Sequence, residues 1–178
     1  MWNNMKSRTT KGHKQNHSWY RGSATSFKNF QEFVDWCSCE YGYMNKNPSG
    51  RFWTLDKDLK VYGNKLYSAE TCMFVPASVS NLFLASDTAR GSLPVGVAKH
   101  YRKYVSECRQ RDGSKYLGMY STKEEAHRAW QLSKIGRIKE EMVGLEDHVK
   151  LIEALSSHVG RLQSDVDNNR ITEVEWWS

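Results

Sequence analysis

LPVGVAKHYRKYVSECRQRDGSKYLGMYSTKEEAHRAW, residues 93–130, is the stretch from which the fold is read. Val95 and Val97 alternate, Tyr104, Val105 and Cys108 follow, and then come Tyr116, Leu117, Met119 and Tyr120. Runs of this period belong to strands, whose successive side chains point to opposite faces. Asp112-Gly113 lies between the last two runs and signals a hairpin, because Gly enters positive φ without steric cost. The spacing therefore predicts a three-stranded antiparallel sheet. Thr122 or Ser121 then caps a helix that carries Glu124 and Glu125 in its first turn, where the helix dipole favours acids. Ala126, Ala129 and Trp130 fall on the face that would meet the sheet. The fold class expected is α+β.

Beyond this helix, Ile135, Ile138, Met142, Leu145, Val149, Ile152 and Val159 recur at spacings of three and four, with Ser156 as an interruption. This is a heptad seam, weakened by Gly136, Gly144 and Gly160. Two readings stay open: the stripe packs on the chain's own core, or residues 135–159 pair with a second copy in a homodimer. Upstream, the first 25 or so residues read as a polar segment with scattered aromatics. Ser26 reads as an N-cap for an amphipathic helix over 27–38, on the spacing of Phe27, Phe30, Phe33, Val34 and Cys37. Phe52, Trp53 and Leu55 predict a short strand running into Asp56. Residues 61–65 predict a turn with Gly63-Asn64 at its tip, and Pro76 opens a helix that extends to Phe83. Residues 85–92 read as a linker.

The chain of 178 residues is 39% hydrophobic and 12% aromatic, with seven Trp. That is enough apolar surface for one ordinary domain or two small modules, and it argues against disorder throughout. No run is long enough to span a membrane, and the polar N-terminus lacks the apolar core of a secretory leader. A cytoplasmic location is expected, with the four Cys (Cys37, Cys39, Cys72, Cys108) as free thiols. Cys37-x-Cys39 is poor zinc spacing, so no zinc is expected. No phosphate-cradling Gly loop or nucleotide fingerprint occurs, and no nucleotide cofactor is expected.

Charge is unevenly spread. Residues 1–92 carry 12 Lys and Arg against 7 Asp and Glu, residues 93–139 carry 11 against 4, and residues 140–178 carry 3 against 9. A basic body with an acidic tail points to a polyanionic partner. The basic residues of the sheet are Lys99, Arg102, Lys103, Arg109, Arg111 and Lys115, interleaved with Tyr104 and Tyr116. A β-sheet can enter the major groove of duplex DNA, where Arg reads base edges and Lys holds phosphates. Arg102, Tyr104 and Ser106 are expected to share the contact face with Lys115 or Tyr116; the plainer alternative is a solvated sheet face. His127, His148 and His158 read as surface residues of helices, and His13 and His17 as solvated.

SFKNFQEFVDW (26–36) and LDKDLKVYGNKLYSAETCMFVPASVSNLF (55–83) resemble the HNH endonuclease-like proteins of bacteriophages. LPVGVAKHYRKYVSECRQRDGSKYLGMYSTKEEAHRAW is similar to the DNA-binding domain of plant ethylene-response factors, which phage HNH proteins often carry downstream. The resemblances cover roughly 26–84 and 93–135. They imply a small ββα metal-finger module followed by the sheet-and-helix domain. In that module one Mg²⁺ or Mn²⁺ ion polarises the scissile phosphate, and a His takes a proton from the attacking water.

The HNH resemblance places Asp56 at the metal-ligand carboxylate, Lys57 at the general base, Thr71 at the residue that orients the base, and Asn81 at the last ligand. Asp58 is a further oxygen donor beside the metal. An ordinary Lys amine is protonated at neutral pH and takes up no proton, so hydrolysis is expected to be slow. Lys57 can still hold a phosphate as a point charge. The plainer reading of Asp56 and Asp58 is that they cap a turn. The organisation expected is a nuclease-like module over 1–84, a linker over 85–92, a DNA-binding domain over 93–140 and an acidic helical tail over 141–178. Two functions follow: a metal-dependent DNA endonuclease or nickase targeted by the sheet, or a binding protein whose nuclease module has decayed, either a DNA-binding regulator or a phage protein acting on a host factor. The partner in both is double-stranded DNA.

Overall fold

The structure, a computed structural model, describes residues 1–10, 20, 22–83 and 91–173. It is of the mixed α+β class, with five α-helices among the described residues and small sheets that include a three-stranded antiparallel one. No described helix is long and apolar enough to cross a membrane. The chain divides into two compact units, the first including Met1–Ser80 and the second spanning Asn81–Val174. His13, His17 and most of the expected linker lie outside the described residues.

In the first unit, helix α1 (Trp2–Thr9) occupies part of the polar N-terminal segment. Met5 is buried, and the Trp2 ring packs against Phe30 at 6.0 Å and Phe33 at 5.4 Å. Two apolar anchors three residues apart fix this helix, too few for a period to show in the sequence. Strand β1 (Ala24–Thr25) runs parallel to β3 (Leu66–Tyr67). The Ser26 amide donates to Tyr67 O at 3.0 Å and so prolongs that pairing. This is why Ser26 does not cap the next helix. The cap of α2 (Phe30–Cys39) is Asn29, whose side chain accepts from the Glu32 amide, while the Glu32 carboxylate accepts from the Lys28 amide at 2.8 Å.

Strand β2 (Thr54–Asp56) pairs antiparallel with β4 (Met73–Val75), with Asp56 opposite Met73. After Pro76 come α3 (Ala77–Ser80) and a 3-10 turn (Asn81–Phe83), in place of one helix through Phe83. Phe27, Phe33, Trp36 and Phe74 form a chain of ring contacts at 5.2–6.1 Å through the core of the first unit.

The second unit is built on β5 (Val97–His100), β6 (Lys103–Gln110) and β7 (Gly113–Tyr120), in that order and antiparallel. Gln110 faces Gly113, so Arg111 and Asp112 form the turn, one residue earlier than Asp112-Gly113. Helix α4 (Lys123–Met142) starts with a capping box between Thr122 and Glu125. It buries Ala126 and Trp130, and the loop before β5 meets it at Gly96. Gly96 has φ +76°, and a Cβ there would fall on the Trp130 indole.

The expected seam does not run through one helix. The chain leaves α4 at Val143, turns through Gly144 at φ +82°, and begins α5 (Val149–Asp167) at Val149, which is exposed. The α5 residues buried in the unit are Leu151, Leu155, His158, Leu162, Asp165 and Val166, with Ile152 and Val159 half-buried at the border of that face and Val149 outside it. A stripe drawn across the break carries the phase of α4 into a helix with its own. His127 and His158 are likewise buried, contrary to the surface positions expected for them. His127 Nδ1 lies 2.9 Å from Val95 O, and its Nε2 accepts from the Thr172 amide at 2.9 Å. This pairing fixes the proton on Nδ1, and it ties the chain beyond α5 back to α4.

Gly96→Ala should destabilise the protein by about 2–4 kcal/mol, because a left-handed backbone and a clash with a buried ring add together. Thermal or denaturant unfolding checks this. A variant that melts with the wild type would mean that Trp130 is not fixed against the loop.

Candidate nucleic-acid interface

Asp56 ends β2, and its carboxylate is engaged locally. Its Oδ1 accepts from the Asp58 amide at 2.9 Å and the Leu59 amide at 3.0 Å, and its Oδ2 accepts from the Ser80 hydroxyl at 3.2 Å. A short side chain that takes up two following amides is a turn cap. Lys57 is buried, and its ammonium donates to Asp58 Oδ1 and to Asn64 O, the latter at 2.8 Å, with Tyr67's ring 5.8 Å away. Asn64 returns its amide to Lys57 O and Leu66 O, both at 2.7 Å, which closes the turn expected at Gly63-Asn64. Thr71 donates to Leu66 O at 2.6 Å and accepts from the Ser68 amide at 3.2 Å. It thus braces the segment between β3 and β4. Asn81 is the first residue of the second unit.

These donors do not suit a hard divalent cation. Such an ion needs several oxygens with free lone pairs. Asp56 Oδ1 already faces two N–H donors, and the Lys57 ammonium holds Asp58 Oδ1 with a fixed positive charge. Among the described residues no cluster of three His, Cys, Asp or Glu stands ready for a metal. The buried, fully engaged Lys57 is also remote from the role of a base. Burial pushes the Asp58 carboxyl up to about 6, against the downward pull of the Lys57 ammonium.

The β5–β6–β7 sheet has one face against α4 and one open. Val97, Ser106 and Cys108 are buried, and since Val97 pairs with Ser106, the face they share is the covered one. Tyr104 lies on that same side, opposite Lys99 and Tyr120. The expected grouping of Arg102, Tyr104 and Ser106 on the contact face is therefore out of phase by one residue. Lys103, Val105, Glu107 and Arg109 line the open face of β6.

On β7 the register shifts between Ser106 and Glu107: Ser106 faces Gly118 but Glu107 faces Tyr116. Leu117 is the extra residue, a β-bulge that brings Tyr116 to the open face and Lys115 opposite buried Cys108. Ser114 donates to Glu107 Oε2 at 3.0 Å across the same face. Arg102 and Arg111 sit in the two turns. Arg111 Nε donates to Glu141 on α4 at 2.8 Å. His100, opposite Lys103, and Met119, opposite Val105, join the open face and were missed from the sequence. His100 is open because the two-residue turn at Tyr101-Arg102 reverses the parity between β5 and β6, and the bulge hid Met119.

The Asp58 carboxyl should titrate near pH 6 in a ¹³C NMR titration, well above an ordinary Asp. Lys57→Met removes the attraction that holds it down, so the midpoint should move higher still. A midpoint near 4 in the wild type would mean that Asp58 is solvated.

The chain matches no protein-family model, no curated protein and no solved structure.

Proposed function

We propose that this chain binds duplex DNA through the open face of the β5–β6–β7 sheet and does not cut it. The observation that carries the reading is the alignment of Lys103, Arg109 and Tyr116 on one uncovered sheet face within residues 93–139, the most basic segment of the chain. A sheet of this width fits the major groove, with cations on phosphates and guanine edges. Glu107 lies among them, and in a groove its carboxylate suits the amino group of cytosine. Arg102, at the exposed turn between β5 and β6, reaches the flanking backbone. The resemblance to ethylene-response-factor DNA-binding domains agrees with this use of the sheet.

A second reading keeps the nuclease. It is favoured by the order of β2, β4 and α3 around Asp56, the strand, strand and helix of an HNH-like ββα module. It requires Asp56 to leave its turn and take a Mg²⁺ or Mn²⁺ ion with Asp58 and Asn81, and a base other than the buried Lys57. The engagement of Asp56 and Lys57 makes the non-cutting regulator the better account.

Duplex binding should weaken with salt, the negative slope of log affinity against log salt being about 0.9 per phosphate contact. Lys103→Ala with Arg109→Ala should weaken binding at least tenfold and lower that slope. Tyr104→Phe, on the covered side, should leave both unchanged. Supercoiled plasmid should stay intact with Mg²⁺ or Mn²⁺. Nicking that stops with chelator and with Asp56→Ala would establish the nuclease reading instead.

A further inference from the structure

We propose that the hairpin around Lys46 and Phe52 in the first unit holds an unpaired nucleic-acid strand. The proposal rests on the duplex-binding reading only in naming DNA as the polymer.

The hairpin is closed by backbone and side-chain hydrogen bonds. Asn47 N–H donates to Arg51 O and Trp53 N–H donates to Asn45 O, each at 2.9 Å, and Gly50 N–H donates to Asn47 O at 2.8 Å. Asn47 Oδ1 accepts from the Ser49 hydroxyl and the Arg51 amide, both at 2.9 Å. Lys46 and Phe52 are antiparallel partners and so share a face. Trp53, one residue on, turns inward and is buried, which leaves Phe52 outward and 47% exposed. The Lys46 ammonium lies 4.7 Å from the Phe52 ring centroid, and Arg51 beside it is exposed. Residues 41–55 contain no Asp or Glu. Tyr41 and Met44, in the same stretch, are also exposed.

A flat ring held outward beneath a cation, with a second cation next to it in the chain and no acid within 41–55, complements a polyanion that carries flat rings of its own. In a duplex those rings are hidden in the stack and only their edges reach a protein. In a single strand they are free to lie on an aromatic side chain while cations track the phosphates. The Lys46 stem is flexible enough for the ammonium to leave the ring to a base and meet the adjoining phosphate. The two units would then read duplex and unpaired strand on one DNA molecule, and their covalent link would raise the affinity for DNA that offers both.

The test uses the full chain and fluorescence anisotropy with a blunt duplex, the same duplex with a ten-nucleotide thymidine overhang, and the thymidine strand alone. The tailed duplex should bind roughly fivefold to a hundredfold tighter than the blunt one, the range of a single base stack. Phe52→Ala should remove that advantage and leave blunt-duplex affinity unchanged. Phe52→Tyr, which keeps the ring, should retain it. If Phe52→Ala fails to fold, Phe52→Leu, which keeps apolar volume without a flat face, decides the matter by the same comparison. Lys46→Ala with Arg51→Ala should lower the salt slope on the tailed duplex only, by about 0.7 per lost contact. Equal binding of tailed and blunt duplexes by the wild type, or equal losses on both with Phe52→Ala, would overturn the proposal. Binding of the thymidine strand without the blunt duplex would sink the sheet reading and leave the hairpin standing.

Discussion

Helix α4 buries His127, Gln131, Lys134, Arg137 and Glu141, and the second unit is organised by the need to give each a partner. A polar group taken from water without a hydrogen bond costs about 1–3 kcal/mol, more if charged. His127 takes Val95 O and the Thr172 amide, and Gln131 donates to Arg170 O and to the Thr172 hydroxyl, each at 2.9 Å. Lys134 donates to Leu82 O, and burial pushes its amine down to about 8. Arg137 and Glu141 pair with each other, and Glu141 reaches Arg111 in the sheet turn. One helix thereby fixes the entry to the sheet, the tip of its hairpin and the chain that follows α5. The open face owes its shape to a network on the far side of the sheet.

The first unit depends on a smaller version of the same constraint. Lys57 is a buried ammonium, and the turn from Asp56 to Leu66 is folded around its needs. A buried pair of this kind adds little net stability over an apolar pair of the same shape, yet removing one partner leaves the other stranded. The local sequence Asp-Lys-Asp therefore works as structure. Its carboxylates look like ligands in one dimension; in three, Asp56 caps the turn and Asp58 pairs with the Lys57 ammonium.

Much of the second unit was legible in the sequence. The three strands, the hairpin and the Thr122 cap follow from period two, a Gly and a capping box, all local signals. The facing of the sheet was not legible, because it hangs on which parity is covered by α4, and that is a tertiary fact. The α5 phase was lost because Gly144 resets the helix, and a heptad count continues across it regardless. Helix α1 was lost because Trp2 and Met5 acquire meaning only against Phe30, Phe33 and the rest of that core. The Asp56 site was readable as two alternatives, and the backbone amides that separate them carry no signature in side-chain sequence.

The bulge at Leu117 makes the β7 strand a reading frame in two phases. Upstream of it, even-numbered positions of β7 are open; downstream, odd-numbered ones are. Were the bulge flattened so that Leu117 took its place opposite Glu107, Tyr116 would turn inward and Lys115 outward, with the composition of the open face recast and no side chain changed. Among descendants of such a chain, a change in whether a residue is looped out here would alter what the sheet recognises more abruptly than substitution could.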